Sequence, residues 1–344
     1  MFPSLRSIVQ LAVIPTGLFI SGATAVQAQT TRYHVATTFI LGGDGSWDYV
    51  ALDSVNHHLY IARENRFMVV DPSTGKLITE IPGMNRAHGV AFAYDLGHGF
   101  ATSGGDSTVT MFDLRSFKVL GTTIAAVDDD ALLYDPATRR VYTFNGDAHS
   151  ATVIDPVSGK KVGTIDLGAK PESGATTGDG KLYVNLSEAG EVAEIDAKAM
   201  KVTRTWSVAP CTEPTGMAVD RAHHRIFSTC RSKVLAVSDA IGGKLVTTVP
   251  IGASVDGAGF DPATRLAFAP NGDGTLTVIH EDTPDRYTVV QTLPTMDGAR
   301  TMTLDPVTHT IYTVSARLGS LPAGAGRRRP PVLPGTFTLL EIKP

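Results

Sequence analysis

Residues 139–144, RRVYTF, set the period of the whole chain. A polar turn precedes them in LLYDPATRR (132–140), and an alternating run, ATVIDPVSGK (151–160), follows. The same unit, an aromatic inside a short β-rich run after a polar turn, recurs as HHLYIA, GHGFAT, GKLYVN, HRIFST, TRLAFA and HTIYTV. The seven aromatics, Tyr60, Phe100, Tyr142, Tyr183, Phe227, Phe268 and Tyr312, are spaced by 40, 42, 41, 44, 41 and 44 residues. A steady period of this length is the signature of a repeat architecture. Each aromatic is preceded by an apolar strand ending in a turn. It is followed by an alternating strand and then a further short strand such as KVGTIDLG (161–168) or KLVTTVPIG (244–252). Period-two patterning with turn residues between runs reads as four strands per repeat. One such sheet leaves a face bare, whereas seven packed around an axis cover both, so the expected fold is an all-β, seven-bladed β-propeller of four-stranded antiparallel blades.

The two ends support closure. The last repeat supplies three strands, in ARTMTLD, TIYTVSA and GTFTLLEI, and lacks a fourth. HVATTFILGG (34–43) resembles the outer strands of other repeats, so residues 34–41 are expected to complete the last blade and leave no open edge. RRVYTFNGD, KLYVNLSE, ATVIDPVSGKKVGTIDLG and NGDGTLTVIHED resemble the YVTN-repeat β-propeller family, the YncE-like exported proteins, over essentially the whole chain after residue 28. The resemblance implies a periplasmic or secreted seven-bladed propeller. It implies no single reaction, since related propellers include sugar lactonases, a streptogramin lyase and pure binding platforms.

The 344 residues are 42% hydrophobic and 19% charged, with 34 Gly and 20 Pro, a globular composition rich in turns. Arg6, the apolar run 8–20 and Val26-Gln27-Ala28 read as a signal peptide over residues 1–28, with residues 29–344 forming the propeller. The alternative is an uncleaved membrane anchor, but Pro15 and Gly17 interrupt a run already short for a bilayer. No membrane insertion is expected after cleavage, and a monomer is expected. The formal charge of −4 offers no global attraction to nucleic acid, and Arg327-Arg328-Arg329 is the one dense basic cluster. Cys211 and Cys230 in an exported chain suggest a disulfide, the alternatives being two free thiols or soft-metal ligands.

The repeat also serves as a ruler. Twelve residues before each aromatic stand Asp48, His88, Asp130, Pro171, Thr215, Asp256 and Arg300, with Glu172 one place after Pro171. Equivalent slots in a closed ring share one axial height, so Asp48, His88, Asp130, Glu172, Asp256 and Arg300 are expected at one mouth of the channel. Clustered carboxylates with an imidazole and a guanidinium suit a small polar ligand or a divalent cation. The competing reading is that these groups cap strands and hold channel water. Three places after the aromatics, Arg63, Ser103, Asn145, Leu186, Cys230, Asn271 and Ser315 are expected near the same mouth, with Asn185 one place off, as donors and acceptors suited to a sugar-like or other polar ligand. Asn-Gly at 145–146 and 271–272 reads as turn chemistry. Arg63, Arg231 and Arg317 are less easily explained by turn geometry, the alternative being that each is a solvated surface Arg. His280-Glu281-Asp282, on the opposite face, resembles a metal cluster, the alternative and preferred reading being a solvated turn, and His57-His58 and His223-His224 are likewise expected in turns facing water. The insertion 315–335, SARLGSLPAGAGRRRPPVLPG, is expected near the mouth as a lid or a disordered loop.

Three function classes follow. The first is a binding propeller with its ligand or cation at the mouth. The second is a lactonase- or lyase-like enzyme using His88 as acid/base with the carboxylates as metal ligands. The third is a protein-interaction platform. No P-loop, nucleophile elbow or H-E-x-x-H motif is present.

Overall fold

A computed structural model describes residues 1, 3, 32–320 and 330–344. The proposed signal segment and Arg327–Arg329 lie outside the described residues. Seven four-stranded antiparallel sheets form, each with its strands in spatial order from inner to outer. Blade 3, which carries the founding repeat, runs through Asp129–Asp135, Arg140–Asn145, Ser150–Ile154 and Lys161–Asp166. Among the described residues the one helical element is a short 3-10 turn, Tyr94–Leu96, and no helix is long and apolar enough to cross a membrane.

The repeat aromatics explain the period. All seven lie on second strands and are buried. They fill the gaps between blades. Tyr60 packs on Phe92 and Phe112 of blade 2, Phe227 packs on Phe260 and Tyr287 of blade 6, and the Tyr142 hydroxyl donates to the Ala197 carbonyl of blade 4 at 3.0 Å. A blade lacking its aromatic would leave a cavity against its neighbour, costing about 3–5 kcal/mol.

Closure is as the sequence implies. His34–Ile40 pairs antiparallel with Thr338–Lys343, from His34 opposite Lys343 to Ile40 opposite Thr338. It forms the outer strand of a blade whose inner strand is Met302–Asp305. The burial of His34–Ile40 alternates along its length, as a strand with one packed face should.

Inner strands run from one mouth of the channel to the other, and each mouth has its own chemistry. At the far end, Asp53, Asp135, Asp220, Asp261 and Asp305 close the inner strands, all buried. Each turns its carboxylate back onto its own chain: Asp53 accepts from Val55 and Asn56 N–H, Asp220 from Ala222, Asp261 from Ala263 and Asp305 from Val307. This is the Asx-turn use of aspartate. At the near end, hydroxyls and amides of neighbouring blades hold the first residues of the inner strands. Thr102 donates to the Asp130 carbonyl at 2.6 Å, Thr301 to that of Asp48 at 2.8 Å, and Asn185 to that of Thr215 at 2.9 Å. The backbone that carries the near-mouth side chains is thereby fixed from both sides.

Candidate functional site

The near mouth opens onto a polar cavity of about 430 Å³ whose lining includes Asp48, His88, Asp130, Glu172, Asp256 and Arg300. The six side chains singled out by repeat position thus come together from six blades. The seventh slot, Thr215, is buried and donates to the Val255 carbonyl, a purely structural contact.

The charged groups form a chain around the rim. Asp130 Oδ1 lies 3.3 Å from His88 Nδ1, and the same nitrogen meets Asp48 Oδ2 at 2.5 Å. The other oxygen of Asp48 faces Arg300 Nη2 at 3.4 Å. Arg300 Nε donates to Asp256 Oδ2 at 2.9 Å, and Asp256 Oδ1 lies 4.0 Å from Arg231. The chain therefore passes through blades 3, 2, 1, 7, 6 and 5. It skips blade 4, where Glu172 has no ion-pair or hydrogen-bond partner among the described residues.

Burial and mutual repulsion shape the charges. Burial opposes charge on His88, yet the bond to Asp48 and the field of Asp130 outweigh it and raise its pKa to about 9. His88 therefore stands protonated at neutral pH, and as an acid/base candidate it is poised to donate a proton rather than accept one. Burial, then the charge of Asp256, pushes Glu172 up to about 7. Burial likewise raises Asp130, against the pull of His88 and with the push of Asp48, Glu172 and Asp256. Arg300 is penalised by burial but held charged, and raised, by Asp48 and Asp256.

Further residues belong to the cavity. Tyr49 leaves blade 1 and packs against the core shared by blades 3 and 4. Burial and the charges of Asp130, Asp256, Asp48 and Glu172 all raise its hydroxyl well above the ordinary value, so it remains a proton donor among carboxylates. Arg86, Asp128 and Lys170 form a second tier. Asp128 accepts from Arg86 at 3.2 Å and from Lys170 at 3.1 Å, and these bonds keep its carboxylate ionised against burial. The ruler held the signal for this tier, one step further along. Two places before Asp48, His88, Asp130, Glu172, Thr215, Asp256 and Arg300 stand Ser46, Arg86, Asp128, Lys170, Glu213, Ser254 and Gly298. Arg86, Asp128, Glu213 and Ser254 are non-glycine residues with positive φ of 57°, 61°, 48° and 59°. A left-handed residue there turns the chain into the channel, a conformation such residues adopt at a modest cost.

Other expectations are corrected. Arg63 is not a ligand contact: it is fully buried, donates to the carbonyls of Gly42, Asp44, Gly45 and Ser46, and stacks over Phe337 at 3.8 Å. It ties down the segment leading into blade 1, because five donors in a fork satisfy several carbonyls at once. Asn145 and Asn271 are buried and donate to Thr152 and Thr277 of the adjoining strands, bracing hairpins. Ser103 accepts from Asn85 N–H, and Ser315 donates to the Asp297 carbonyl, each tying its strand to the connection from the preceding blade. Arg231 lines the cavity, whereas Arg317 sits at the foot of the insertion, whose arms meet through a bridge between Leu318 and Val332. Glu281 is completely buried rather than solvated. His57 and His224 are exposed, as expected, whereas His58 packs beside Phe117 and the partly exposed His223 bonds to Asp220 at 2.6 Å.

Cys211 and Cys230 form a disulfide, with Cα atoms 5.6 Å apart, beside the near mouth. A disulfide fits an oxidising compartment.

No protein-family model matches the chain. One curated relative, "Uncharacterized protein YncE" of Salmonella typhi, is 30% identical over 146 residues, covering 40% of this chain and 41% of that protein. The match thus spans less than half the length of that relative. Among solved structures, a chain of Kuenenia stuttgartiensis hydrazine synthase aligns with TM-score 0.69 at 15% identity, covering 77% of this chain and 91% of that one. A chain of a mitotic checkpoint complex aligns with TM-score 0.74 at 13% identity, covering 100% and 98%. At such identities these two likenesses speak for the fold alone. Seven four-stranded blades around one channel make this chain a seven-bladed β-propeller, and the partial sequence match makes it similar to YncE over 40% of its length.

Proposed function

We propose that this propeller acts outside the cytoplasm as a binding protein, holding a divalent cation or the cationic group of a small polar ligand at the near mouth. One observation carries the reading: the ion chain around the rim leaves Glu172 without a partner and Asp130 facing only His88. Of these two half-buried carboxylates on neighbouring blades, Asp130 shares the single charge of His88 with Asp48, and Glu172 lies in the field of Arg231 and Lys170 without bonding to either, so both are short of a positive charge that a ligand would supply. Arg86, Lys170 and Arg231 around them offer donors to an anionic or hydroxylated remainder of such a ligand. Asp48, His88, Asp256 and Arg300 then serve as the fixed frame.

The reading is tested by metal analysis of the purified protein, followed by calorimetric titration with Ca²⁺ and Mn²⁺ and a thermal-shift screen of amines and amino sugars. Binding to the wild type that weakens at least about tenfold in both Glu172→Gln and Asp130→Asn supports it. Undiminished binding in both variants, or no binding by any probe, refutes it.

A further inference from the structure

On the opposite face, blades 5 and 6 bring together a second constellation. Asp220 ends the inner strand of blade 5 and His223 lies in the turn after it, while Glu281 comes from the third strand of blade 6, Asp273–Thr283. One ligand atom from each lies within 4.8 Å of the others. His223 Nδ1 meets Asp220 Oδ2 at 2.6 Å and Glu281 Oε1 at 3.3 Å.

Glu281 occupies a repeat position that elsewhere has a different task. Thirteen places after the aromatics of blades 2 and 3 stand Asp113 and Asp155. Each accepts N–H groups of its own following turn, Asp113 from Ser116 and Asp155 from Ser158. In blade 6 the third and fourth strands run on, to Thr283 and from Arg286, so the turn is displaced past Glu281. The carboxylate is left inside the blade with no turn to cap. Its side chain is 0% exposed and its Oε2 accepts no hydrogen bond. Arg265 Nε faces that oxygen at 3.5 Å, likewise without a hydrogen bond.

The distribution of burial is informative. The acceptors are sealed, with Asp220 at 2% and Glu281 at 0% side-chain exposure, whereas the two side chains facing them, His223 and Arg265, are each 39% exposed. The negative groups are thus fixed, and the groups facing them stand where solvent lets them move. Two buried carboxylates from adjacent blades are expensive unless a compact positive charge serves both.

We propose that Asp220, His223 and Glu281 form a divalent transition-metal site on the far face, separate from the near mouth. Two carboxylates and one imidazole match the donor preferences of Zn²⁺ and Mn²⁺. Tetrahedral zinc sets ligand atoms about 3.4 Å apart, so the His223–Glu281 separation already fits and the Asp220–His223 contact opens by less than about 1 Å. The Asp220 oxygen that accepts from Ala222 at 2.9 Å continues to hold the turn while its other oxygen binds. Arg265 swings outward to solvent as the cation takes its place.

The full chain, stripped with chelator, is titrated calorimetrically with ZnCl₂, and with CoCl₂ while visible absorption is recorded. The expected result is a zinc stoichiometry one lower in His223→Ala than in wild type, with loss of the cobalt d–d bands. His88→Ala, at the near mouth, retains this far-face site and its bands. Since His223 is partly exposed, its alanine variant should fold, and a melting curve checks this. Glu281→Gln serves as a second variant, expected to weaken zinc at least about tenfold. Equal zinc stoichiometry in wild type and His223→Ala, or loss of zinc and cobalt signals only in His88→Ala, overturns the proposal. Failure of the near-mouth reading leaves this result unaffected, because the two sites share no residue.

Discussion

The same residue does opposite things at the two ends of one strand. Asp135 ends the inner strand of blade 3 and Asp130 stands near its start. Asp135 is buried and fully engaged: it accepts from Thr138 N–H at 2.9 Å and Oγ1 at 2.7 Å, and from Thr176 of blade 4 at 2.7 Å. Asp130 has no backbone donor and faces other carboxylates across a cavity. A carboxylate with local N–H and O–H donors stabilises a fold. One gathered with its own kind gives up stability, and such sacrifices mark places where something else binds.

The contrast can be broken by mutation. Asp135→Ala removes three bonds to a buried carboxylate and should destabilise by about 3 kcal/mol, read as a lower urea midpoint, with no change in cation binding at the mouth. A midpoint within error of wild type would erase the structural half of the comparison. The mouth does have one strong brace of its own. Reducing the Cys211–Cys230 disulfide, which spans a sequence separation of 19, should cost about 3 kcal/mol, seen as a melting temperature lowered by reductant. Without reductant, thiol titration of the denatured protein should find no free thiol.

Smaller effects sharpen the functional half. Asp130→Asn should leave stability equal or raise it by about 1 kcal/mol, because repulsion from Asp48, Glu172 and Asp256 is relieved. A clear loss of stability would make Asp130 a structural residue like Asp135. The mildest effect is in pH dependence. Glu172 rises from an ordinary 4.5 to about 7 on folding, so the folded chain holds its proton more tightly than the unfolded one. Its contribution to stability is full below pH 4.5 and is lost as pH climbs through 7. The melting temperature of Glu172→Gln relative to wild type should therefore increase between pH 5 and pH 7.5. A pH-independent difference would mean that Glu172 lies in open water.

Much of this was legible in sequence because a propeller repeats. Tyr142 and its six counterparts are buried for the same packing reason in every blade, so their spacing counts blades directly. Repeat position also places side chains at an axial height, which is why Asp48 and Arg300 could be paired although 252 residues separate them. The fates of Arg63 and Glu281 were not legible. Repeat position gives height along the axis and not depth within a blade, and both side chains are buried where the ruler suggested a solvated mouth or turn. Arg63 is sealed because the segment 42–46 wraps it, a contact with no sequence period. Glu281 is sealed because two strands of blade 6 run longer than their counterparts.

The amino-acid sequence by itself determined the blade count, the strand order within each blade, the closing strand and the ring of residues at one height, since each follows from local pattern repeated at a fixed interval. Only the tertiary structure decided which of those polar groups find partners. Partnership depends on distances of a few ångströms between blades, set by how seven sheets pack about the axis. That packing joins Asp130, His88, Asp48, Arg300 and Asp256 into one chain of charge and leaves Glu172 outside it.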